Sequence, residues 1–256
     1  MDQRALMAER STWDFDWRPP GFAAIDRADV YAWAWRGAWA GSRGVGRASW
    51  SDREVASRLT EIGAFFARHG VPVRWYVGPS TASRELERIL TECAGAIHEP
   101  RLMTGAIAEA RFRVNEAVAI RRVTSGPLVR EIIETAFPEY RDERREIAIG
   151  EHDAYLAGGR RGGHLAAFVD GELVGFANWR DASDGRCVQL VGAWTKPSHR
   201  GKGVYSTLTA FRLARARDRG LAYAAIVADP TTSGPIVAKA GFADHGPLRV
   251  FSDVRL

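Results

Sequence analysis

Thr195-Lys-Pro-Ser-His-Arg-Gly-Lys-Gly-Val-Tyr-Ser-Thr-Leu208 is the segment from which the rest of the chain can be laid out. Before it runs an apolar stretch, Cys187 to Trp194, of strand character. After it, a helical period sets Val204, Leu208, Phe211 and Ala214 on one face. The order is strand, glycine turn, helix. Gly201 and Gly203 let main-chain N–H groups approach a ligand with no Cβ in the way. The helix start adds unpaired donors and the positive end of a dipole. Arg200 and Lys202 add whole charges. Such a turn suits an anion, most naturally a pyrophosphate.

Working outward, Asp170-Gly171 between His164–Val169 and Glu172–Trp179 signals a two-residue hairpin. A loop over 181–186 leads into the strand before the glycine turn. Upstream, 114–123 reads as an opening strand. A helix starting at Gly126-Pro127 carries Leu128, Ile132, Ile133 and Ala136 on its face and is broken by Pro138. A charged helix follows over 139–149. Downstream, the helix after the turn ends at Gly220, 221–228 is a strand, Asp229-Pro-Thr-Thr a turn, and 234–240 a helix ending in Gly241-Phe242.

The spacing Arg200-x-x-Gly203-x-Tyr205, after Thr195 and Pro197, resembles motif A of the GNAT superfamily, the acyl-CoA-dependent N-acyltransferases. In that family this loop cradles the CoA pyrophosphate. Tyr205 stands where Gly or Ala is usual, and the dinucleotide pattern Gly-x-Gly-x-x-Gly is absent. The element order from residue 114 onward is also that of the family. The resemblance implies an α/β class with a GNAT-like mixed, mostly antiparallel sheet flanked by helices.

The first half is a weaker echo. Trp33, Trp35 and Tyr31 alternate with Ala32 and Ala34 as in a strand; the tryptophans of this region, Trp13, Trp17, Trp33, Trp35, Trp39 and Trp50, read as aromatic core or as a ligand-binding cluster. Ser51-Asp-Arg-Glu opens a helix with Val55, Leu59, Ile62 and Phe66 on one face, ended by Gly70. Then come a strand over 71–77, a Pro-Ser-Thr turn, a helix over 83–93, and a closing strand within 101–112. Helix, glycine, strand, turn, helix thus recurs at an offset of about 150 residues, an internal repeat. The resemblance then reads as two tandem modules, 1–113 degenerate or truncated and 114–256 binding acyl-CoA. Arg43-Gly-Val-Gly-Arg-Ala48 repeats the motif spacing formally, but no helix follows it directly.

By resemblance, Val191, Ala193, Trp194, Thr195, Arg200, Gly201, Lys202, Gly203, Val204 and Tyr205 contact the acyl group, pantetheine and pyrophosphate, with Ser233 the nearest polar group on the last helix. Gly192 inside the strand marks a bulge that frees an N–H for the acyl carbonyl. Many relatives carry a glutamate base where this chain has Gln189, which cannot take a proton but can hold water or a substrate carbonyl. The tyrosine acid of the last helix falls on Val237, and the asparagine at that helix start on Pro230. Glu131, Glu134, Glu139, Asp142, Glu143, Glu146, Glu151 and Asp153 are either a solvated helix face or an attraction for a cationic amine. His152 and His164 are candidate bases or simply hydrogen-bonded histidines.

Composition bounds the alternatives. Thirty-six Lys and Arg against 31 Asp and Glu give a net charge of +5, nearly all the cations being arginine. Acidic residues are interspersed and no reader motif accompanies the arginines, which ranks nucleic acid last. Cys93 and Cys187 form neither a disulfide framework nor a zinc pattern, so no metal is expected. The opening Met-Asp-Gln-Arg lacks a signal-peptide core and no apolar run is of membrane-spanning length; the expectation is a cytoplasmic protein, monomer or homodimer. The leading expectation is an N-acetyltransferase moving acetyl from acetyl-CoA to an amine of a small molecule or peptide. The alternative is an inactive acyl-CoA-binding sensor or scaffold.

Overall fold

The computed structural model describes residues 2–158 and 160–255. Met1, Gly159 and Leu256, which the expected modules include, lie outside the described residues. The chain opens with α1 (Gln3–Arg10), capped by Asp2, whose carboxylate accepts the Arg4 N–H at 2.9 Å. A hairpin of β1 (Ala23–Arg27) and β2 (Val30–Ala34) follows, and β3 (Arg43–Gly46) pairs antiparallel with β2. Every residue of β2 is buried because both its faces are covered. Val30, Ala32 and Ala34 join the core under the next helices, while Tyr31 and Trp33 pack on Trp13.

Then come α2 (Val55–His69), β4 (Val73–Val77), α3 (Arg84–Cys93), β5 (Ala96–His98) and β6 (Arg101–Ala106). The apolar face expected for α2 is buried, and Gly70 ends it in the left-handed region at φ 63°. Ser83 caps α3 by accepting the Leu86 N–H at 3.0 Å. The Arg43–Gly46 echo of the glycine motif is strand, not loop. The connection to α2 carries Trp50, buried and donating to Asp29 at 3.0 Å, where the second half has an open glycine turn.

The second half contributes β7 (Ala119–Arg122), α4 (Gly126–Ala136), α5 (Asp142–Ala157), β8 (Gly162–Val169), β9 (Glu172–Asp181), β10 (Cys187–Thr195), α6 (Val204–Asp218), β11 (Tyr223–Ala228), α7 (Ser233–Lys239), β12 (Ala243–Pro247) and β13 (Arg249–Val254). Asp170 and Gly171 take φ 50° and 81° in the β8–β9 turn, as the hairpin signal requires. Along β8, Leu165 and Ala167 join the core that holds α6, and Ala166 and Phe168 the core that holds α4 and α5. That two-sided burial erases the polar alternation expected of a half-exposed strand.

One sheet runs β1-β2-β3-β4-β13-β5 and the other β12-β6-β11-β10-β9-β8-β7. The boundary drawn at 113/114 is therefore crossed twice. β6, from the first half, pairs with β11 and β12, and β13, from the second half, pairs with β4 and β5. Each travelling strand enters the equivalent slot of the other sheet. The connectors explain this: only Glu99-Pro100 separates β5 from β6, and only Leu248 separates β12 from β13. Links so short carry the chain onward instead of back into its own sheet. The two crossings touch, the Leu248 N–H donating to the Pro100 carbonyl at 2.8 Å. The closing strand expected within 101–112 thus exists over 101–106 but closes the other sheet. The internal repeat stands at the level of elements: α2, β4, α3, β5 and β6 recur in order as α6, β11, α7, β12 and β13.

Three local readings are corrected. The opening strand is only Ala119–Arg122. The charged helix does not stop at residue 149 but runs through Gly150 to Ala157. On α6, Phe211 and Ala214 are exposed and the buried stripe runs Val204, Leu208, Arg212, Ala216. No described helix is long and apolar enough to cross a membrane.

Candidate functional site

β10 and β11 are parallel neighbours that pair only through Cys187, Val188 and Gln189 opposite Tyr223, Ala224 and Ala225. Beyond Gln189 they part, and a cavity of about 1110 Å³ opens between them and runs to the glycine turn. On its other edge β10 stays paired with β9 to Thr195, with a register shift at Gly192. Gly192 has φ 54°, and a Cβ there would stand 3.0 Å from the Asn178 amide nitrogen. A bulge at that point turns a main-chain group out of the ladder and toward the cavity.

The turn is built as the sequence implied. The Lys196 N–H bonds the Val174 carbonyl at 2.8 Å, and a single 3-10 turn over Pro197–His199 leads to Gly201 (φ 74°) and Gly203 (φ 81°). The first intrahelical bond of α6 runs from Thr207 N–H to Gly203 C=O at 2.9 Å. The amides of Val204, Tyr205 and Ser206 therefore have no helical carbonyl, and all three residues line the cavity. Asn115 buttresses the turn: its side chain donates to the Lys202 carbonyl at 2.8 Å and its N–H to Thr207 Oγ1 at 2.9 Å. Open amides, positive-φ glycines and two rim cations fit a diphosphate group.

The expected contact residues Ala193, Trp194, Thr195, Arg200, Gly201, Lys202, Gly203, Val204, Tyr205 and Ser233 line this one cavity. Val191, paired with Asn178 on β9, does not. Gln189 is also elsewhere. It is buried where β10 and β11 still pair, accepts from Arg180 Nε at 2.6 Å and donates to Asp14 at 3.1 Å, and lines neither cavity described here. It is a structural tie to the amino-terminal segment. Val237 is fully buried and Pro230 exposed, so neither supplies the missing family groups. Ser233 Oγ accepts the Asp229 N–H at 3.0 Å. Hydrogen bonds from Thr231 and Thr232 hold the Asp229 carboxyl below the usual carboxylate range.

Sequence reasoning missed Arg212. It is 1% exposed, lines the cavity, and donates to the Asn178 carbonyl and Thr209 Oγ1, both at 2.9 Å. No carboxylate pairs with it among the described residues, and burial lowers its pKa. The Tyr205 side chain, also in the lining, stands beside the Arg212 guanidinium. Arginine on the i, i+4, i+8 row of an otherwise apolar stripe was the available signal.

A second cavity, about 380 Å³, shares Gly192, Ala193 and Trp194 with the first. Its wall is aromatic: Trp17, Trp35 and Trp39 from the first half meet Phe137, Tyr155 and Phe176 from the second. Of the acidic residues expected near an acceptor, Glu151 lines it. Its oxygens accept from Trp35 Nε1 at 2.6 Å and the Ala38 N–H at 3.0 Å, and burial raises its pKa. Glu134 and Glu146 instead pair with Arg130 on the helix surface. His152 and His164 also line this cavity, their Nδ1 and Nε2 3.0 Å apart, and His164 Nδ1 is 2.7 Å from Asn178 Oδ1. Among the described residues no group of three or more His, Cys, Asp or Glu could hold a metal ion.

Residues 127–242 match the family model described as Acetyltransferase (GNAT) family. A comparison with curated proteins found no match. Among solved structures, a GCN5-related N-acetyltransferase from Kribbella flavida superposes with a TM-score of 0.68 at 18% identity, over 99% of this chain and 96% of that one. A functionally unknown conserved protein from Staphylococcus epidermidis gives 0.68 at 13% identity, covering 92% and 95%. A tandem GNAT protein from the clavulanic acid biosynthesis pathway gives 0.58 at 12%, covering 94% and 86%. These likenesses concern the fold, and the match to the GNAT family model extends over residues 127–242 of this chain.

Proposed function

We propose that this protein transfers an acyl group, acetyl foremost, from acyl-CoA directly to an amine of a small molecule or peptide. The reading is carried by the parting of β10 and β11 around Gly192, with the open amides of α6 at the far end of the same cavity. In this reading the amides of Val204–Ser206, with Arg200 and Lys202, take the pyrophosphate. Ala193–Thr195 lies along pantetheine, and the main chain at the Gly192 bulge faces the acyl carbonyl. The nitrogen lone pair attacks that carbonyl carbon, and a preorganised N–H there favours the oxyanion that develops. The C–S bond then breaks and sulfur keeps the electron pair. Arg212 lies within the same cavity, so its buried positive charge favours that thiolate.

The first half supplies no second pyrophosphate turn, since Trp50 fills the corresponding connection. One acyl-CoA per chain is therefore expected, in a cytoplasmic monomer or homodimer. Thiol release from acetyl-CoA, followed against a panel of primary amines, tests the proposal. Release with at least one amine supports it. A protein that binds acetyl-CoA and releases no thiol with any amine is the sensor or scaffold instead.

A further inference from the structure

The aromatic chamber next to the Gly192 bulge is more particular than an acceptor site needs to be. Trp39 stands edge-on to both Phe137 and His152, with ring centroids 5.1 and 5.3 Å away. Phe176 stacks on Trp194, and Trp17 meets Tyr155 edge-on. Among the described residues no lysine or arginine lines the chamber, so nothing in that lining would pair with an acidic substrate. Its one carboxylate, Glu151, already accepts two protein N–H groups. A polyamine or aminosugar would bring several charges or hydroxyls to a wall with few free polar partners, at a large desolvation cost. An aromatic body would find edge and face contacts on every side.

The polar end of the chamber has a defined proton order. Asn178 Oδ1 can only accept, so His164 Nδ1 carries a hydrogen. His164 Nε2 is then a lone pair, and His152 Nδ1 donates to it. What remains is His152 Nε2, a lone pair with no protein partner among the described residues, on a ring that lines the chamber. Asn178 is also the residue whose amide nitrogen abuts Gly192, so the chain of bonds ends beside the bulge.

We infer that this chamber seats a monoamine with an aromatic body, and that His152 Nε2 receives the proton the nitrogen loses as it is acylated. This rests on the acyltransferase reading above. The nitrogen forms its bond to the acyl carbon, the C–S pair goes to sulfur, and the N–H proton goes to His152. The charge gained on the histidine pair balances the thiolate, which is protonated from solvent as the pair gives its proton back. Burial holds His152 down to about 3 and His164 down to about 4, so both are neutral at pH 7 and keep their lone pairs free. Glu151, Tyr155, Asn178 and Trp39 surround them in the chamber, and the Arg160 charge, over the Tyr155 ring, also acts on His164. His152 is the catalytic residue; His164 and Asn178 are positioning residues that fix its tautomer.

The test uses the full chain with acetyl-CoA and three probes: 2-phenylethylamine, cadaverine and glucosamine. Expected is a kcat/KM for 2-phenylethylamine about 100-fold above either of the others. Trp39→Ala, or Trp17→Ala should the first fold poorly, should raise KM by roughly 10-fold with a smaller change in kcat. His152→Gln should lower kcat by about 100-fold with KM little changed, and His164→Asn should fall between. Binding of 2-phenylethylamine alone, followed by tryptophan fluorescence, separates the two readings. Binding that Trp39→Ala weakens, with no thiol release from any amine, would uphold the chamber while sinking both the transferase reading and the role of His152. Acetyl-CoA binding and turnover that favour cadaverine or glucosamine would overturn the substrate class with the transferase reading intact. An unchanged kcat in His152→Gln would overturn the proton route.

Discussion

Replacing Gly203 by valine should separate the fold from the pyrophosphate turn. Gly203 holds φ 81° as the cap of α6, and an added Cβ would lie 3.3 Å from the Asn115 Cβ. A β-branched residue held at positive φ costs about 1–2 kcal/mol. The turn relieves this by rotating toward negative φ, and the amides of Val204 and Tyr205 rotate with it. Each is a charge-assisted donor to phosphate, worth about 1.5–3 kcal/mol. Losing two therefore removes about 3–6 kcal/mol, or roughly 100-fold to 10,000-fold in affinity. Gly201 is the control: it has φ 74° but open space around its Cβ. Gly201→Ala should cost about 1 kcal/mol and less than about 10-fold in affinity. The assay is calorimetric titration of CoA into both variants, with thermal unfolding alongside. Because α6 is held by Val204, Leu208 and Ala216 in the core, the Gly203→Val variant should stay folded with Tm lowered by only about 3–8 °C. A folded Gly203→Val protein that binds CoA within about threefold of the parent would refute the assignment of these amides.

Three further outcomes follow from particular side chains. Glu9 is fully buried against Ser80, and burial raises its pKa from 4.5 to about 7. The folded state thus holds the extra proton, so its contribution to stability is whole below pH 4.5, fades as pH rises toward 7, and is gone above that. The difference is about 3 kcal/mol, and urea titrations at pH 5 and pH 8 should show Glu9→Gln flattening that slope. Gly192→Val would meet Asn178 and close the bulge, lowering kcat by about 100-fold while acetyl-CoA affinity stays within about threefold, measured by thiol release and calorimetry. Arg212→Lys keeps the charge but cannot reach both the Asn178 carbonyl and Thr209, so it should lose about 1–3 kcal/mol in thermal unfolding.

Local chemistry was legible in the sequence, and long-range pairing was not. Gly201, Gly203, Asp170-Gly171 and Gly192 each declare a backbone conformation that few other residues adopt, and each stands where that reading put it. The stripe Val55, Leu59, Ile62 and Phe66 declares a buried face. By contrast, nothing in Arg101–Ala106 or Arg249–Val254 says which sheet each joins. Their destination is set by the brevity of Glu99-Pro100 and of Leu248, and by slots that exist only once both sheets form. Gly150 reads as a helix breaker, yet α5 continues through it because the following turn is held by the aromatic chamber it helps to build. That extra length is what brings Glu151, His152 and Tyr155 to the site. Gln189 stands on β10 as the family position implies, but Asp14 and Arg180 claim its side chain, which no local pattern announces.

The most direct test of the account is calorimetric titration of acetyl-CoA and of CoA into the full chain at two salt concentrations. One site per chain is expected, with similar affinity for both ligands because the pyrophosphate turn is common to them, and weaker binding at the higher salt as Arg200 and Lys202 are screened. Two sites per chain would mean that the first half also carries a nucleotide site despite Trp50. No binding at either salt would contradict the central claim, leaving the GNAT fold without the ligand its open amides were assigned.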